Sequence, residues 1–263
     1  MTIPKTLGVI GGGGWLGGAI VGSILAAGLI QPNQLVLSYR RARPDRFEGA
    51  FWTRDNRELA ARSDIIIVSV RPEDWPALDI DATRKLVISV MAGIGLADIA
   101  GRLGTDRVIR TLPNAAAEVG KSYTPWIASG AATAEDRAIV RAIFDACGTQ
   151  DEVPSERDLD YLSGFSGTGP AYPALLAAAM MRDAIAFGVP ADVARRAVNA
   201  ILVGTGRLLE REDALPSDTV EAFLAYRGVT AAGIETMRAS GFDDAVSRGL
   251  RAAFDKAVAM GGG

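Results

Sequence analysis

Two patterns of apolar spacing divide this chain. Up to about Gln150, short unbroken apolar runs alternate with stretches of helical periodicity. The strand candidates built on them are Leu7–Ile10, Gln34–Ser38, Asp64–Val70, Leu86–Val90 and Arg107–Arg110, with Tyr123–Ala128 after them. A short continuous apolar run bounded by turn residues suits a strand buried on both faces. Trp15–Leu29, Leu59–Arg62, Leu96–Leu103 and Glu135–Cys147 carry the helical spacing, and Gly28 marks the end of the first. Strands and helices in alternation predict parallel strands joined by crossover helices, a doubly wound α/β sheet.

From Asp158 the pattern is helical throughout. Leu175–Gly188, Pro190–Arg211, Asp218–Ala225 and Asp244–Met260 all read as helices, and no comparable strand candidate follows. We place a boundary at DEVPSERD, giving residues 1–153 to the sheet domain and 154–263 to an all-helical domain. The closing Gly261–Gly263 reads as a frayed end.

Composition narrows the class. At 263 residues the chain can bury a substantial core, and 49% hydrophobic with 22% charged residues suits a soluble globular protein. A net charge of −3 offers no electrostatic reason to expect nucleic acid or an anionic membrane surface. The only cysteine, Cys147, rules out a disulfide framework and a multi-cysteine metal site, and its apolar helical setting makes it a small buried hydrophobe. No bound metal is expected. The N-terminus lacks the pattern of a secretory signal and no apolar run suits a membrane span, so the expected location is the cytoplasm.

Chemistry enters at GGGGWLG, directly after the first strand. Gly12-x-Gly14-x-x-Gly17 satisfies the dinucleotide fingerprint, whereas Gly11-x-Gly13-x-x-Leu16 does not. Such glycines turn the chain, admit a pyrophosphate to the backbone amides and let helix and strand pack closely, in a Rossmann-like arrangement. Gly12, Gly14 and Gly17 are the expected cofactor contacts, with Trp15 and Leu16 at the helix start; Trp15 reads as direct contact or as packing beside the cofactor. An NAD site usually offers a carboxylate at the end of the second strand. Here stand Ser38, Tyr39, Arg40 and Arg41. A hydroxyl and two guanidinium groups suit a 2′-phosphate, hence NADPH, with NADH as the alternative and Arg43 as a further basic candidate.

Elimination then limits the reaction. With no histidine, dehydrogenases that use a catalytic histidine are excluded. None of Tyr39, Tyr123, Tyr161, Tyr172 and Tyr226 has a lysine four residues on, which removes the Tyr-x-x-x-Lys reductases. Lys5, Lys85, Lys121 and Lys256 are the only lysines, and none lies in the first helix after the boundary. A substrate needing little proton help, such as an imine, fits a chain without a strong acid or base; orientation can supply much of the barrier reduction.

Five segments bear a resemblance to the pyrroline-5-carboxylate reductases. GFSGTGPAY (164–172) resembles their GxSGSGPAY, VIRTLPN (108–114) their VIRxMPN and SVRPED (69–74) their AVKP segment. SVMAGI (89–94) is similar to SxxAGI, and RGVTAAG (227–233) to GGTTxAG. The resemblance spans nearly the whole chain. It implies reduction of L-pyrroline-5-carboxylate to L-proline, and a C-terminal helical domain that interlocks with its copy in a homodimer or in a larger assembly of dimers. It further implies that Asn56, Val70, Pro72, Ala92 and Gly93 line the cofactor, with Arg71 where the family usually has lysine and Asn114 toward the nicotinamide. Ser166 and Glu221 fall at substrate-binding positions.

The family's Ser-Pro-Gly-Gly-Thr-Thr turn cradles the substrate carboxylate at a helix start. The aligned residues here are Ala225, Tyr226, Arg227, Gly228, Val229 and Thr230. Gly228, Val229 and Arg227 are thus expected at the substrate, and Thr230 at the ring nitrogen as the catalytic residue, with water as a possible proton source because a threonine hydroxyl is a weak acid. Arg227 has three readings: it pairs with the carboxylate, it belongs to a pocket for another cyclic imine, or it faces solvent or Glu221. Two further functions follow from the altered turn, a reductase of a different cyclic imino acid and a non-catalytic NADP(H)-binding protein.

Overall fold

The computed structural model describes residues 2–210 and 215–261. Arg211 and the glycines at 262–263, read above as a helix end and a frayed tail, lie outside the described residues. The chain forms two compact units, one from the described residues of Met1–Thr168 and Ala252–Gly263, the other from Gly169–Arg251. The boundary expected at residue 153 falls between the last strand and the helix after it, and the compact units part later, after Thr168.

The first unit runs β1 (Leu7–Ile10), α1 (Trp15–Ala26), β2 (Leu35–Ser38), β3 (Phe51–Thr53), α2 (Asn56–Arg62), β4 (Ile65–Val68) and β5 (Leu86–Ser89). It continues with α3 (Leu96–Leu103), β6 (Val108–Thr111), β7 (Ser122–Ala128), α4 (Ala134–Cys147), β8 (Gly148–Glu152) and α5 (Glu156–Leu162). The eight strands form one sheet in the order β3-β2-β1-β4-β5-β6-β7-β8. All neighbours are parallel except β6 and β7, where Arg110 faces Ile127 in an antiparallel register. The all-parallel sheet expected from the alternation is corrected there: only the stretch around the short 3₁₀ turn Ala115–Val119 joins β6 to β7, too little chain for a crossover helix.

Every residue of β1, β2, β4, β5 and β6 is buried, because helices cover both faces. Leu7, Val9, Ile65 and Ile67 point to the α1 and α4 side, where they meet Ile20, Ile24, Ile143 and Phe144. Ile10, Ile66 and Val68 point to the other side, against Leu59, Ile99 and Leu103. Each such aliphatic side chain contributes about 1.5–3 kcal/mol by leaving water. Cys147 is buried in the first layer, and burial pushes its thiol up to about 11, as suits a small hydrophobe.

A single π-helical turn, Ser163–Gly167, follows α5. The last turns of α10 (Phe242–Gly261) close on it: a Cβ on Gly164 would lie 2.8 Å from the Phe254 nitrogen, and the Tyr161 and Phe254 rings stand 6.0 Å apart. The second unit holds α6 (Ala171–Phe187), α7 (Ala191–Leu209), α8 (Pro216–Ala225), α9 (Val229–Ala239) and the start of α10. No residue of α6 is buried; Leu175 is 67% and Phe187 89% exposed. No helix among the described residues is long and apolar enough to cross a membrane.

Candidate active site

The strand order turns back between β1 and β4, and in open α/β sheets ligands bind beyond the carboxyl ends of the strands at such a point. A groove of about 750 Å³ lies there. One wall is the glycine turn, through Gly11, Gly13 and Gly14. Gly11 has φ +82° and passes so close to the Ser69 carbonyl that a side chain would overlap it, so this position requires glycine. A Cβ on Gly13 would lie 2.9 Å from Tyr39 Cβ, and one on Gly14 3.0 Å from the Gly11 oxygen. Gly12 faces away, against Leu37, and Gly17 packs on the Gly11 carbonyl, where a Cβ would come to 2.5 Å.

The turn is held by its own bonds. Gly11 N donates to Ser38 Oγ at 3.0 Å, Gly13 N to Ser38 O at 2.9 Å and Gly14 N to Gly11 O at 2.8 Å. Gly14 then caps α1, whose first satisfied amide is that of Gly18, 3.0 Å from Gly14 O. The amides of Trp15, Leu16 and Gly17 precede it and sit at the positive end of the helix, the donor set that an anion takes. The cradle therefore fits a dinucleotide pyrophosphate by shape and by donors.

The β2 end of the groove is basic. Ser38, Tyr39, Arg40, Arg41 and Arg54 line it, and Asn56 opens α2 beside them. Arg40 also makes a two-point ion pair with Asp74, Nη1 to Oδ2 at 3.1 Å and Nη2 to Oδ1 at 3.0 Å. Asp74 lies in the 3₁₀ turn Pro72–Ala77 after β4, so the pair ties two edges of one groove. Val70 and Arg71 line the same edge, and Arg71 pairs with Glu73 at 3.3 Å.

Of the other expected cofactor positions, Gly12, Gly17, Trp15, Leu16, Pro72, Ala92, Gly93 and Asn114 are not on this wall. Trp15 is 54% exposed and its indole bonds Glu118. Gly93, with φ +77°, turns the chain after β5 next to Ala92. Asn114 is buried and bonded at both ends of its amide: its Oδ1 accepts from Ala116 N at 2.9 Å and its Nδ2 donates to Ser166 O at 3.0 Å. Ser166 in turn donates from Oγ to Leu162 O at 3.0 Å. These two positions, widely separated in sequence, are brought together. Behind them Arg110, 2% exposed, joins β6 to α5 through Glu156 and through Asp160 at 3.0 Å.

In the second unit the turn Tyr226-Arg227-Gly228 separates α8 from α9. Arg227 adopts φ +50°, an unusual conformation for a non-glycine residue. Gly228 is the N-cap of α9 with no side-chain capping bond, and the first satisfied amide is that of Ala232, on Gly228 O at 3.3 Å. The amides of Val229, Thr230 and Ala231 thus precede the first intrahelical bond at a helix N-terminus, where Val229 is 92% exposed and Ala231 buried. Glu221 pairs with Arg238 at 4.0 Å and not with Arg227, which is exposed, so of the third reading of that arginine the solvent-facing form stands and the Glu221 pair does not.

Comparison with known proteins adds to this geometry. A family profile described as pyrroline-5-carboxylate reductase dimerisation matches residues 156–260, and one described as NADP oxidoreductase coenzyme F420-dependent matches residues 6–93. The pyrroline-5-carboxylate reductase of Thermus thermophilus is 32% identical over 93% of this chain and 92% of its own, and that of Synechocystis sp. 30% over 97% and 98%. The chain belongs to the pyrroline-5-carboxylate reductase family. Among solved structures, the reductase of Coxiella burnetii superposes with a TM-score of 0.85 at 25% identity, covering 98% of this chain and 99% of that one. The Plasmodium falciparum enzyme, solved with NADP bound, gives 0.86 at 24% identity over 99% and 100%.

Within this reductase fold the groove wall also holds Gly11, Gly13, Arg54, Ser69 and Asp74, none of them among the expected cofactor contacts, and Tyr39 from the Ser38–Arg41 stretch. Gly11 and Gly13 belong to the register that lacks a third glycine. Arg54 stands two residues before Asn56. Ser69 and Asp74 open and close SVRPED, of which only SVRP resembles the family's segment.

Proposed function

We propose that this chain reduces L-pyrroline-5-carboxylate to L-proline with NADPH, NADH being a weaker substitute. The observation that carries the reading is the groove at the strand switch point, walled by glycines and basic at its β2 end, in a chain of this family. NADPH when bound supplies a hydride to the carbon of the C=N bond, and the nitrogen takes a proton. The chain's part is to bind and orient. The α1 amides from Trp15 to Gly17 would hold the pyrophosphate, and Ser38, Arg40 and Arg41 the 2′-phosphate. Asn56, Val70, Arg71 and Pro72 follow along the cofactor, with Ala92, Gly93 and Asn114 toward the nicotinamide.

For the substrate, the amides after Gly228 are donors for a carboxylate, and Thr230 Oγ1 would hydrogen-bond the ring nitrogen. Arg227, Val229, Ser166 and Glu221 complete the proposed substrate contacts. The chain has no histidine and a threonine hydroxyl is a weak acid, so water is the proposed proton source. We also propose that residues 1–153 serve the dinucleotide and 154–263 the substrate and dimerisation, in a cytoplasmic homodimer; the exposed apolar face of α6 and the dimerisation match support the dimer.

Following NADPH absorbance with pyrroline-5-carboxylate and a panel of other cyclic imines tests the reading, with NADH as second cofactor. Turnover confined to another ring size or substituent would move the assignment to a different cyclic imine, the reading that the Arg227 turn favours. NADPH binding without oxidation by any of the imines would refute both and leave a non-catalytic NADP(H)-binding protein.

A further inference from the structure

Arg46 is absent from the groove wall, yet it touches the glycine turn from behind. Its Nη2 donates to Gly14 O at 2.9 Å and to Gly12 O at 3.3 Å. The space it occupies exists because Gly18 has no side chain: a Cβ there would lie 2.5 Å from Arg46 Cζ and closer still to one nitrogen. A glycine inside a helix is less favourable than alanine, so a packing reason for Gly18 is expected. The arginine is aimed by its own neighbours. Its guanidinium stands 5.1 Å from the Phe47 ring, Phe47 has φ +58°, and that ring stacks on Trp52 of β3 at 6.4 Å.

We propose that Arg46, seated against Gly18, is a positioning residue for the dinucleotide, locking the glycine turn in the form that presents the α1 amides. This rests on the cofactor reading above. A peptide group is planar and trans, so its oxygen and hydrogen point opposite ways. Holding Gly14 O toward Arg46 and the helix therefore sends the Trp15 N–H out of the α1 N-terminus. Holding Gly12 O on one side fixes the Gly13 N–H on Ser38 O on the other. Four consecutive glycines, Gly11–Gly14, have more conformational freedom to lose than any other such run. Ordering them before the ligand arrives removes that cost from binding. The guanidinium acts at the pyrophosphate end, which NADPH and NADH share.

Isothermal titration of the full-length protein with NADPH and with NADH tests this, at a temperature well below unfolding where a purely structural defect leaves affinity unchanged. Arg46→Met is expected to weaken both dinucleotides by the same factor, on the order of tenfold, the size of one charge-assisted hydrogen bond. Gly18→Ala, which displaces the guanidinium, gives the same loss, and the double variant is no weaker than either single one. Amide exchange across Gly11–Gly17 in the ligand-free protein speeds up in all three. Arg41→Ala, in contrast, weakens NADPH alone. Three results overturn the inference: affinities of Arg46→Met within twofold of the parent, losses that multiply in the double variant, or a loss confined to NADPH. If the parent binds neither dinucleotide, the cofactor reading itself falls, and this inference with it.

Discussion

Arg110 offers a test of which charge in a buried cluster is the expensive one. Its side chain is 3% exposed and faces Glu156 and Asp160, whose side chains are 40% and 24% exposed. Its Nε has no partner among the described residues. An arginine cannot shed its proton, so once its partners are removed the cation has no escape from the interior. Glu156 and Asp160 can turn to water. Arg110→Met should therefore cost only about 1–2 kcal/mol, for lost hydrogen bonds and a partial repacking of apolar chain. Glu156→Gln with Asp160→Asn keeps the shapes and leaves Glu156's bond from Leu96 N available to the amide oxygen, but strands the guanidinium. That should cost about 3–5 kcal/mol, the range for an uncompensated buried charge.

The assay is urea denaturation followed by tryptophan fluorescence at one fixed protein concentration, because association contributes to the stability of an oligomer. The midpoint should fall in the order parent, Arg110→Met, double variant, with on the order of 1 M urea between the last two. If Arg110→Met is as unstable as the double variant, or more so, the carboxylates and not the cation are the stranded groups and the reasoning fails.

Asp74→Asn frees Arg40 from its two-point pair and removes a carboxylate from the proposed phosphate end, so KM for NADPH should fall about threefold to tenfold relative to NADH at low salt; an unchanged ratio places the 2′-phosphate elsewhere. Burial alone would raise Asp136, but Arg107 and the Thr133 amide and hydroxyl hold its carboxyl below the ordinary value. A depressed acid stabilises above its unfolded pKa of about 3.9 and loses that contribution as pH falls through the folded value, so acid unfolding below about pH 4 should be shallower in Asp136→Asn than in the parent; parallel acid-melting curves would contradict this. Arg227→Gly relieves a left-handed residue at the expense of chain entropy, two effects of about 1 kcal/mol that offset. Stability should therefore hold while KM for pyrroline-5-carboxylate rises on the order of tenfold by loss of a charged contact; unchanged KM and turnover remove Arg227 from substrate binding.

The parts of this fold that could be read from sequence are those that physics makes redundant. β1, β4 and β5 are buried on both faces, so every residue repeats the same apolar message. β3 and β8 are the two ends of the sheet, and β8 reads GTQDE, with only partial cover along its length. An edge strand is held by backbone bonds to one neighbour and needs no apolar run, so its sequence does not announce it. The direction of β7 was open to inference from the short link after β6, a constraint of chain length that alternation alone does not express.

The glycine turn shows a different limit. Four glycines in a row hold one complete fingerprint, yet the run does not say which glycine another part of the sheet approaches; that is Gly11, beside the carbonyl of Ser69, the residue after β4. The same holds for the arginines of the loop before β3. Arg43 and Arg46 are indistinguishable as sequence, both in a polar stretch following a candidate phosphate site. The difference is held by Gly18, a helical glycine whose missing side chain makes sense only when a guanidinium from the loop is set against it. A glycine that lowers helix stability by about 1 kcal/mol is thus itself a signal. It says that something must approach the helix there, and the identity of that something is a tertiary fact, supplied by the loop that β2 and β3 bring back over the turn.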